Sequence, residues 1–327
     1  MHICVLNTKT KGVLMKKTLI ATSAALCLAT AVSAAEFINV LTGGTSGIYY
    51  PLGVALSQMY AKAIPDSKTA VQATKASVEN LNLLQAGRGE VAISLGDSLS
   101  DAYKGNTEAG FKAPLSKLRT IGALYPNYIH FVAAADSGIK SFDDIKGKRI
   151  SVGAPKSGTE LNSRAILAAA GISYKDFSKV EYLSYAESVE LMKNRQLDVT
   201  LLSSGAGVAA LRDLATSQKV VFLTIPESIV QKINDPAYQV GVIPANTYEG
   251  QTNDVQTVAV QNFLVTHSGV SDKTAYMMTK TMFENLDQMV AAHAAAKAIK
   301  LENAAKNSPA PLHPGAEQYY KEKGLIP

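Results

Sequence analysis

The chain has 327 residues, of which 47% are hydrophobic and 18% charged, and its formal charge is +5. Four of its lysines and both of its cysteines lie in the first 34 residues, which carry the pattern of an export signal. Without that segment the formal charge falls to +1, which excludes a basic footprint for nucleic acid. No thiol then remains for a disulfide, a cysteine nucleophile or a thiolate metal site.

The export signal is predicted to occupy residues 1–34. Lys16 and Lys17 form a basic start, residues 18–32 form a short apolar run, and Val32-Ser33-Ala34 supplies the small residues that signal peptidase needs. A membrane span would need about 18 to 20 uninterrupted apolar residues, whereas this run is short and contains hydroxyl side chains. Cleavage is therefore expected near Ala34, with the mature chain in the periplasm. Residues 1–14 are interpreted as an upstream start-site artefact.

The mature sequence alternates strand-like and helical patterns, which indicates an α/β fold. The first series predicts a strand at 37–42, a helix at 47–63, a strand at 69–74, a helix at 78–87 and a strand at 91–95. The second series predicts the same order at 149–153, 158–170, 180–183, 188–195 and 199–202.

The two series match each other at a nearly constant distance. "SGI" at 46–48 corresponds to "SGT" at 157–159, an offset of 111, and "LLQAGRGEVAIS" at 83–94 corresponds to "LMKNRQLDVTLL" at 191–202, an offset of 108. We expect two similar lobes that are joined by strands near 121–134 and 238–248 and that close around a ligand. Lobe one is predicted to contain residues 35–124 and 243–327, and lobe two residues 125–242.

Hydroxyl side chains and glycines fill the turns that follow four of these strands. The turns are "TGGTSG" at 42–47, "ATKASVEN" at 73–80, "APKSGTEL" at 154–161 and "LLSSGAG" at 201–207. Each turn leads toward a helix whose free N–H groups and positive dipole end favour an anion. Because carboxyl ends of parallel strands meet at one crevice, the four turns predict a cleft for a small anion. Ser46 taken alone is equally consistent with a simple helix cap.

Enzymatic alternatives fit these residues poorly. A nucleophile elbow around Ser46 would need glycine where Ile48 stands, and a phosphate loop would need serine or threonine where Arg149 follows Gly147-Lys148. The four histidines beyond residue 34 form no paired metal motif. We therefore expect no catalysis, metal or cofactor. A periplasmic serine hydrolase that uses Ser46 or Ser157 stays open as an alternative of a different class.

Four segments resemble a known family over essentially the whole mature chain. "TGGTSGIYYPLG", "SVENLNLLQAGRGEVAISLGD", "SFDDIKGKRISVGAPKSGTEL" and "LHPGAEQYYKEKGLIP" are similar to the TAXI group of solute receptors, which serve tripartite ATP-independent periplasmic (TRAP) transporters. The resemblance implies a type II periplasmic-binding-protein fold. It also implies capture of a small carboxylate, such as a glutamate-like amino acid, a dicarboxylate or an oxo-acid, and its delivery to an ion-driven membrane permease. The receptor is expected to be a monomer.

Carried onto this sequence, the resemblance implies a pocket formed by the four turns. Its expected ligand-binding residues are Thr45, Ser46, Tyr49, Thr74, Ser77, Asn80, Ser157, Gly158, Thr159, Ser203 and Ser204.

Three further residues are candidates on weaker grounds. Lys75 stands where family members commonly have a small residue, so it either adds a cation to the pocket or points to solvent. Tyr125 lies in the expected hinge. Asp97 either receives a ligand ammonium group or caps the helix that follows, and the cap is favoured.

The sequence leaves the ligand and its transporter open. An amino acid would need Asp97, Glu79 or Glu160 to bind its amine, whereas an oxo-acid would need none of them. The arginines fall away from the turns, so binding is expected to rest on hydroxyls and backbone N–H groups. A receptor that serves an ATP-driven (ABC) importer of a sulfonate or similar anion is the nearer alternative.

Overall fold

The fold is built on a ten-stranded mixed sheet. The computed structural model describes residues 36–327. The predicted export signal at 1–34 lies outside the described residues. Along the sheet the strands follow the order β2-β1-β3-β10-β4-β7-β5-β6, with β8 paired to β4 and β9 to β10. The strands are β1 (Phe37–Leu41), β2 (Lys68–Gln72), β3 (Val91–Leu95), β4 (Leu118–Ala134), β5 (Arg149–Ser151), β6 (Lys179–Glu181), β7 (Val199–Ser204), β8 (Val220–Phe222), β9 (Tyr238–Ile243) and β10 (Val255–His267).

Helices connect and cover these strands. They are α1 (Tyr49–Ala63), α2 (Ser77–Gln85), α3 (Gly96–Lys104), α4 (Gly158–Ala169), α5 (Tyr185–Lys193), α6 (Ala209–Ser217), α7 (Glu227–Ile233), α8 (Asp272–Glu284), α9 (Leu286–Ala292) and α10 (Pro314–Glu322). In the part of the chain that the structure describes, no helix is both long and apolar enough to span a bilayer.

The sheet has two parallel ends and an antiparallel middle, which gives the fold its two lobes. Strand β1 pairs in parallel with β2 and β3, and β5 pairs in parallel with β6 and β7. Strand β3 is buried along its whole length, as expected for a parallel strand covered on both faces. Lobe one is thus built on β1–β3 and lobe two on β5–β7, while β4 and β10 belong to both.

The long strands β4 and β10 are the two connections between the lobes. Strand β4 pairs with β10 from Leu118 to Tyr128 and with β7 from Tyr128 to Ala133. Strand β10 pairs with β9 through Val255–Val260 and with β3 through Asn262–Thr266. The segment expected as the second crossing, 238–248, is instead β9 and its following turn, because β9 pairs only along the first half of β10. We retain 124/125 as a proposed lobe boundary and propose that the second one lies in β10 between Val260 and Asn262, where the pairing changes from β9 to β3, rather than at 242/243.

The closing segment "LHPGAEQYYKEKGLIP" fastens the C-terminal helix α10 onto lobe one. His313 Nδ1 accepts from the Gly315 N–H at 3.2 Å, and Pro314 begins the helix, so the sequence HPG sets its start. Tyr320 donates its hydroxyl to the Ile121 carbonyl at 2.7 Å on β4. Gly315 lies directly against α8, where an added Cβ would come within 2.1 Å of the Asp272 carbonyl oxygen and 2.6 Å of the Tyr276 nitrogen.

We predict that Gly315→Ala lowers the free energy of unfolding by at least about 1–3 kcal/mol, because backbone atoms of α8 cannot yield as a side chain would. Urea denaturation of the mature protein measures this change. The control is Gln318→Ala, on the exposed side of the same helix. A Gly315→Ala variant as stable as the control would contradict this close helix packing.

Candidate functional site

Four helices begin at one cavity of ≈ 110 Å³. Helices α1, α2, α4 and α5 each follow a strand of one of the two parallel ends, namely β1, β2, β5 and β6. The first residue of each helix lines the cavity: Tyr49, Ser77, Gly158 and Tyr185. Two helices come from each lobe, so the cavity lies between the lobes at the carboxyl ends of their strands, where ligands of open α/β sheets bind.

Most of the residues expected from the sequence line this cavity. They are Ser46, Tyr49, Thr74, Lys75, Ser77, Ser157, Gly158, Thr159, Ser203 and Ser204.

Thr45, Asn80 and Tyr125 are not part of the lining. Thr45 is exposed at the tip of its turn. Asn80 is fully buried behind the lining, where its side-chain amide donates to the Thr42 carbonyl at 2.7 Å and its oxygen accepts from Thr74 Oγ1 at 2.6 Å. Tyr125 is buried in β4, and its ring lies against Gly205. Asn80 thus holds two of the turns in place.

Asp97 lies neither in the cavity lining nor at a helix cap. Helix α3 begins one residue before it, and Leu95 occupies the N-cap position. Its buried carboxylate accepts from Tyr238 Oη at 2.6 Å, from Asn162 Nδ2 at 2.7 Å and from the Ser98 N–H at 2.6 Å. Burial raises the pKa of Asp97 to about 6, although these donors act in the opposite direction.

The ends of the four helices present unpaired backbone donors. Among the described residues, no acceptor takes the first two N–H groups of any of the four helices. The third N–H is satisfied locally in α4 and α5, as when Glu160 N donates to Ser157 Oγ at 3.1 Å. In α2 the Glu79 N–H donates to the Lys156 carbonyl at 3.1 Å, and in α1 the third N–H is absent because Pro51 stands there. The free donors belong to Tyr49, Tyr50, Ser77, Val78, Gly158, Thr159, Tyr185 and Ala186.

Behind the lining, a chain of hydrogen bonds runs through both long strands. The Tyr49 hydroxyl donates to Asn262 Oδ1 at 2.5 Å, and Asn262 Nδ2 donates to Asn127 Oδ1 at 2.7 Å. Asn127 Nδ2 donates to the Ser203 carbonyl at 2.8 Å, which also accepts from the Tyr185 hydroxyl at 2.5 Å. Burial raises the pKa of Tyr49 far above its ordinary value, so its hydroxyl stays neutral. The chain fixes the lining residues of both lobes relative to the hinge strands.

Neutral groups dominate the lining. Of the residues between 36 and 327 that line the cavity, only Lys75 is charged, and its side chain is exposed. Ser204 is 3% exposed, and within the described residues no protein group bonds its hydroxyl, which leaves that hydroxyl available to a ligand. Ile48, Leu95 and Leu183 add apolar surface.

The three acidic residues considered for a ligand amine are all committed elsewhere. Asp97 bonds Tyr238 and Asn162, as described above. Glu160 pairs with Arg164 at 2.6 Å and accepts from the Tyr174 hydroxyl at 3.0 Å, and Glu79 accepts from the Lys75 N–H at 2.6 Å. None of the three lines the cavity.

The cavity also lacks the parts of a hydrolase or a metal site. No histidine of the described part of the chain lines it to act as a base for Ser46 or Ser157. Within residues 36–327, no group of three or more histidine, cysteine, aspartate or glutamate side chains is placed to hold a metal ion. Positive helix ends with neutral donors suit the binding of an anion.

Sequence reasoning missed Asn127, Leu183, Ser184 and Tyr185. The internal repeat offered the signal for Tyr185, because the offset of 108 carries Ser77 to Tyr185 and Leu95 to Ser203, and all four residues line the cavity. Ser184 and Glu187 also form a capping box that marks the start of α5. Asn127 gave no comparable signal, since its role depends on a partner in β10.

We predict that Tyr49→Phe lowers the free energy of unfolding by about 1–3 kcal/mol, because it leaves Asn262 Oδ1 buried without its donor. Chemical denaturation measures this loss, and the adjacent Tyr50→Phe, at a half-buried residue, is the matched control. Equal stability of the two variants would show that the hydrogen-bond chain does not hold the site together.

Solved structures share the architecture at low sequence identity. PhnD1 from Prochlorococcus marinus (MIT 9301), in complex with methylphosphonate, is 13% identical, with 89% of this chain and 99% of that chain covered and a TM-score of 0.58. XAC2383 from Xanthomonas citri, bound to ATP, is 9% identical, with 89% and 97% covered and a TM-score of 0.51. The expected fold class, two α/β lobes with a hinge and an interlobe cleft as in periplasmic binding proteins, is confirmed.

A family model spans nearly all of the described residues. The model of the NMT1-like family matches residues 40–324, which include both parallel ends of the sheet except the first three residues of β1, the two long strands and every residue named in the cavity lining. The chain therefore belongs to the NMT1-like family.

Proposed function

We propose that this chain is an exported solute receptor whose two lobes close on a small organic anion and present it to a membrane importer. The observation that carries the proposal is the convergence of four helix N-termini, two from each lobe, on one cavity. Their unpaired N–H groups and positive dipole ends stabilise negative charge without a fixed counter-ion. The donors come from both lobes, so an anion bridges them and favours the closed arrangement.

The ligand carries an anionic head and no ammonium group. An ammonium group buried in the cavity would need an acidic partner, because an unpaired buried charge is costly. Asp97, Glu79 and Glu160 all lie outside the lining and are bonded to other groups. The apolar side chains of Ile48, Leu95 and Leu183 receive the uncharged remainder of the ligand. Among the ligands expected from the sequence, this favours oxo-acids over glutamate-like amino acids.

Two kinds of head group fit the same donors. A carboxylate is the ligand that the TAXI resemblance implies, together with a TRAP permease as partner. A sulfonate or phosphonate delivered to an ABC importer is the second candidate, and the methylphosphonate bound by PhnD1, a protein of the same fold, favours it. In either case we propose a periplasmic monomer, exported by the signal at 1–34, that performs no catalysis.

We expect a thermal-shift screen of the mature protein to separate these ligands, since a ligand that binds only the folded state raises the melting temperature. The panel pairs pyruvate with alanine and 2-oxoglutarate with glutamate, and adds methanesulfonate and methylphosphonate. An oxo-acid, the sulfonate or the phosphonate should stabilise the protein, whereas both amino acids should not. Stabilisation by an amino acid but not by its oxo-acid partner would contradict the assigned ligand class.

We predict that Ser204→Ala weakens binding of the stabilising acid by about 1–3 kcal/mol, because Ser204 lines the cavity and its hydroxyl has no partner among the described residues. Thr45→Ala, in the same set of turns but exposed outside the lining, should leave affinity unchanged. Isothermal titration calorimetry measures both. Equal affinity in the two variants would remove Ser204 from the site.

A further inference from the structure

A buried carboxylate joins the two lobes outside the cavity. Asp97 is the second residue of α3, which follows β3 in lobe one, while Asn162 on α4 and Tyr238 on β9 belong to lobe two. Asp97 Oδ2 accepts from both, at 2.7 Å from Asn162 Nδ2 and 2.6 Å from the Tyr238 hydroxyl. Asp97 is 4% exposed. Any opening of the lobes separates this carboxylate from both donors and exposes it to water.

Within residues 36–327, no cation next to Asp97 neutralises its charge. The charged groups that act on it are Asp101, on its own helix, and Asp235, just before β9, and both are acidic. On α4, Arg164 is directed to Glu160 and to the Glu108 carbonyl instead. A lone carboxylate in such a place favours its protonated form.

The neighbouring amide can accommodate either charge state. Asn162 Oδ1 is buried without a hydrogen-bond partner. Rotation of this amide by 180° would place an acceptor where its nitrogen lies now, facing a protonated Asp97. The protonated carboxyl would then donate to Asn162 Oδ1, while the amide nitrogen would take the position that Oδ1 occupies now.

We propose that Asp97, Asn162 and Tyr238 form a proton-operated latch that holds the lobes closed when Asp97 is protonated and weakens when it ionises. This inference rests on the proposed closure of the two lobes and names the regulation of the same site.

The direction of the pH dependence of closure follows from the pKa of Asp97 in the closed and open forms. In the closed form its pKa is about 6, and in an open form that exposes it to water the ordinary value of about 4 returns. The closed state therefore binds the proton more tightly, and closure is favoured as pH falls from about 6 to about 4. The difference of about two units between these pKa values corresponds to at most about a 100-fold change in the closure equilibrium.

The latch also communicates with the cavity. Leu95, two residues before Asp97, lines the cavity, so an anion bound there repels an ionised Asp97. Anion binding and protonation of Asp97 therefore support each other, and anion affinity should rise as pH falls through the same window.

The mature sequence contains no cysteine, so two introduced cysteines can be labelled selectively. The distance between the labels then reports closure of the lobes without any ligand. Spin labels on Lys112→Cys in lobe one and Lys175→Cys in lobe two, both exposed, report the interlobe distance by double electron–electron resonance. Between pH 4 and pH 8 we expect the closed fraction to fall as pH rises, with the change centred below about pH 6. Asp97→Asn should remove this pH dependence, whereas Asp101→Asn should keep it.

A second variant keeps the test decisive if Asp97→Asn does not fold. Tyr238→Phe removes a donor that favours the ionised carboxylate, so it should move the transition to higher pH. A closed fraction that is constant from pH 4 to pH 8, or a pH dependence that survives in Asp97→Asn, would overturn the latch. If the interlobe distance does not change with pH but an anion still closes the lobes, the latch is refuted and the receptor function is not. If no acid of the panel closes the lobes, the receptor function is refuted.

Discussion

The structure depends on one constraint: parallel strands from two lobes end at the same place, and the helices that follow them begin there. Four helices thereby direct unpaired N–H groups into a single small cavity. In water these donors are solvated, but between closed lobes they are left without acceptors, and buried donors without partners are costly. In the proposed function, an anion that supplies acceptors to donors from both lobes eases this constraint, which links the closed arrangement to occupancy of the cavity.

The rest of the molecule fixes the positions of these helix ends. The strands β4 and β10 pass through both lobes, and the chain from Tyr49 through Asn262 and Asn127 to Ser203 ties the lining to them. Asn80 joins two turns from behind. In the proposed function, charge selection also depends on what is missing: no acidic side chain of the described residues lines the cavity, while buried Asp97 lies at the lobe interface, where its charge opposes closure. Anion affinity and proton uptake therefore act in the same direction.

Local patterns in the sequence predicted the parts of the fold that local residues determine. Strand β3 was predicted at its observed bounds because a short apolar run between turns is a local signal. Helix α1 begins at Tyr49, two residues later than predicted, because the glycine-rich turn continues to Ile48. The four hydroxyl turns were predicted to meet, and their side chains do so apart from Thr45 and Asn80. Whether they bind a ligand stays a prediction.

Features that depend on distant partners could not be predicted. The position of Asp97 after β3 is readable, but its donors come from α4 and β9, which are 65 and 141 residues away. The second crossing is predicted at 238–248 because that stretch reads as a strand, yet only the pairing with β10 shows which strand continues into lobe one.

The most direct test of the central claim is a crystal structure of the mature protein with the acid that stabilises it most. We predict its anionic head within about 2.7–3.2 Å of the N–H groups at the starts of α2, α4 and α5. An acid bound through Lys75 alone, or outside the cavity, would contradict the account.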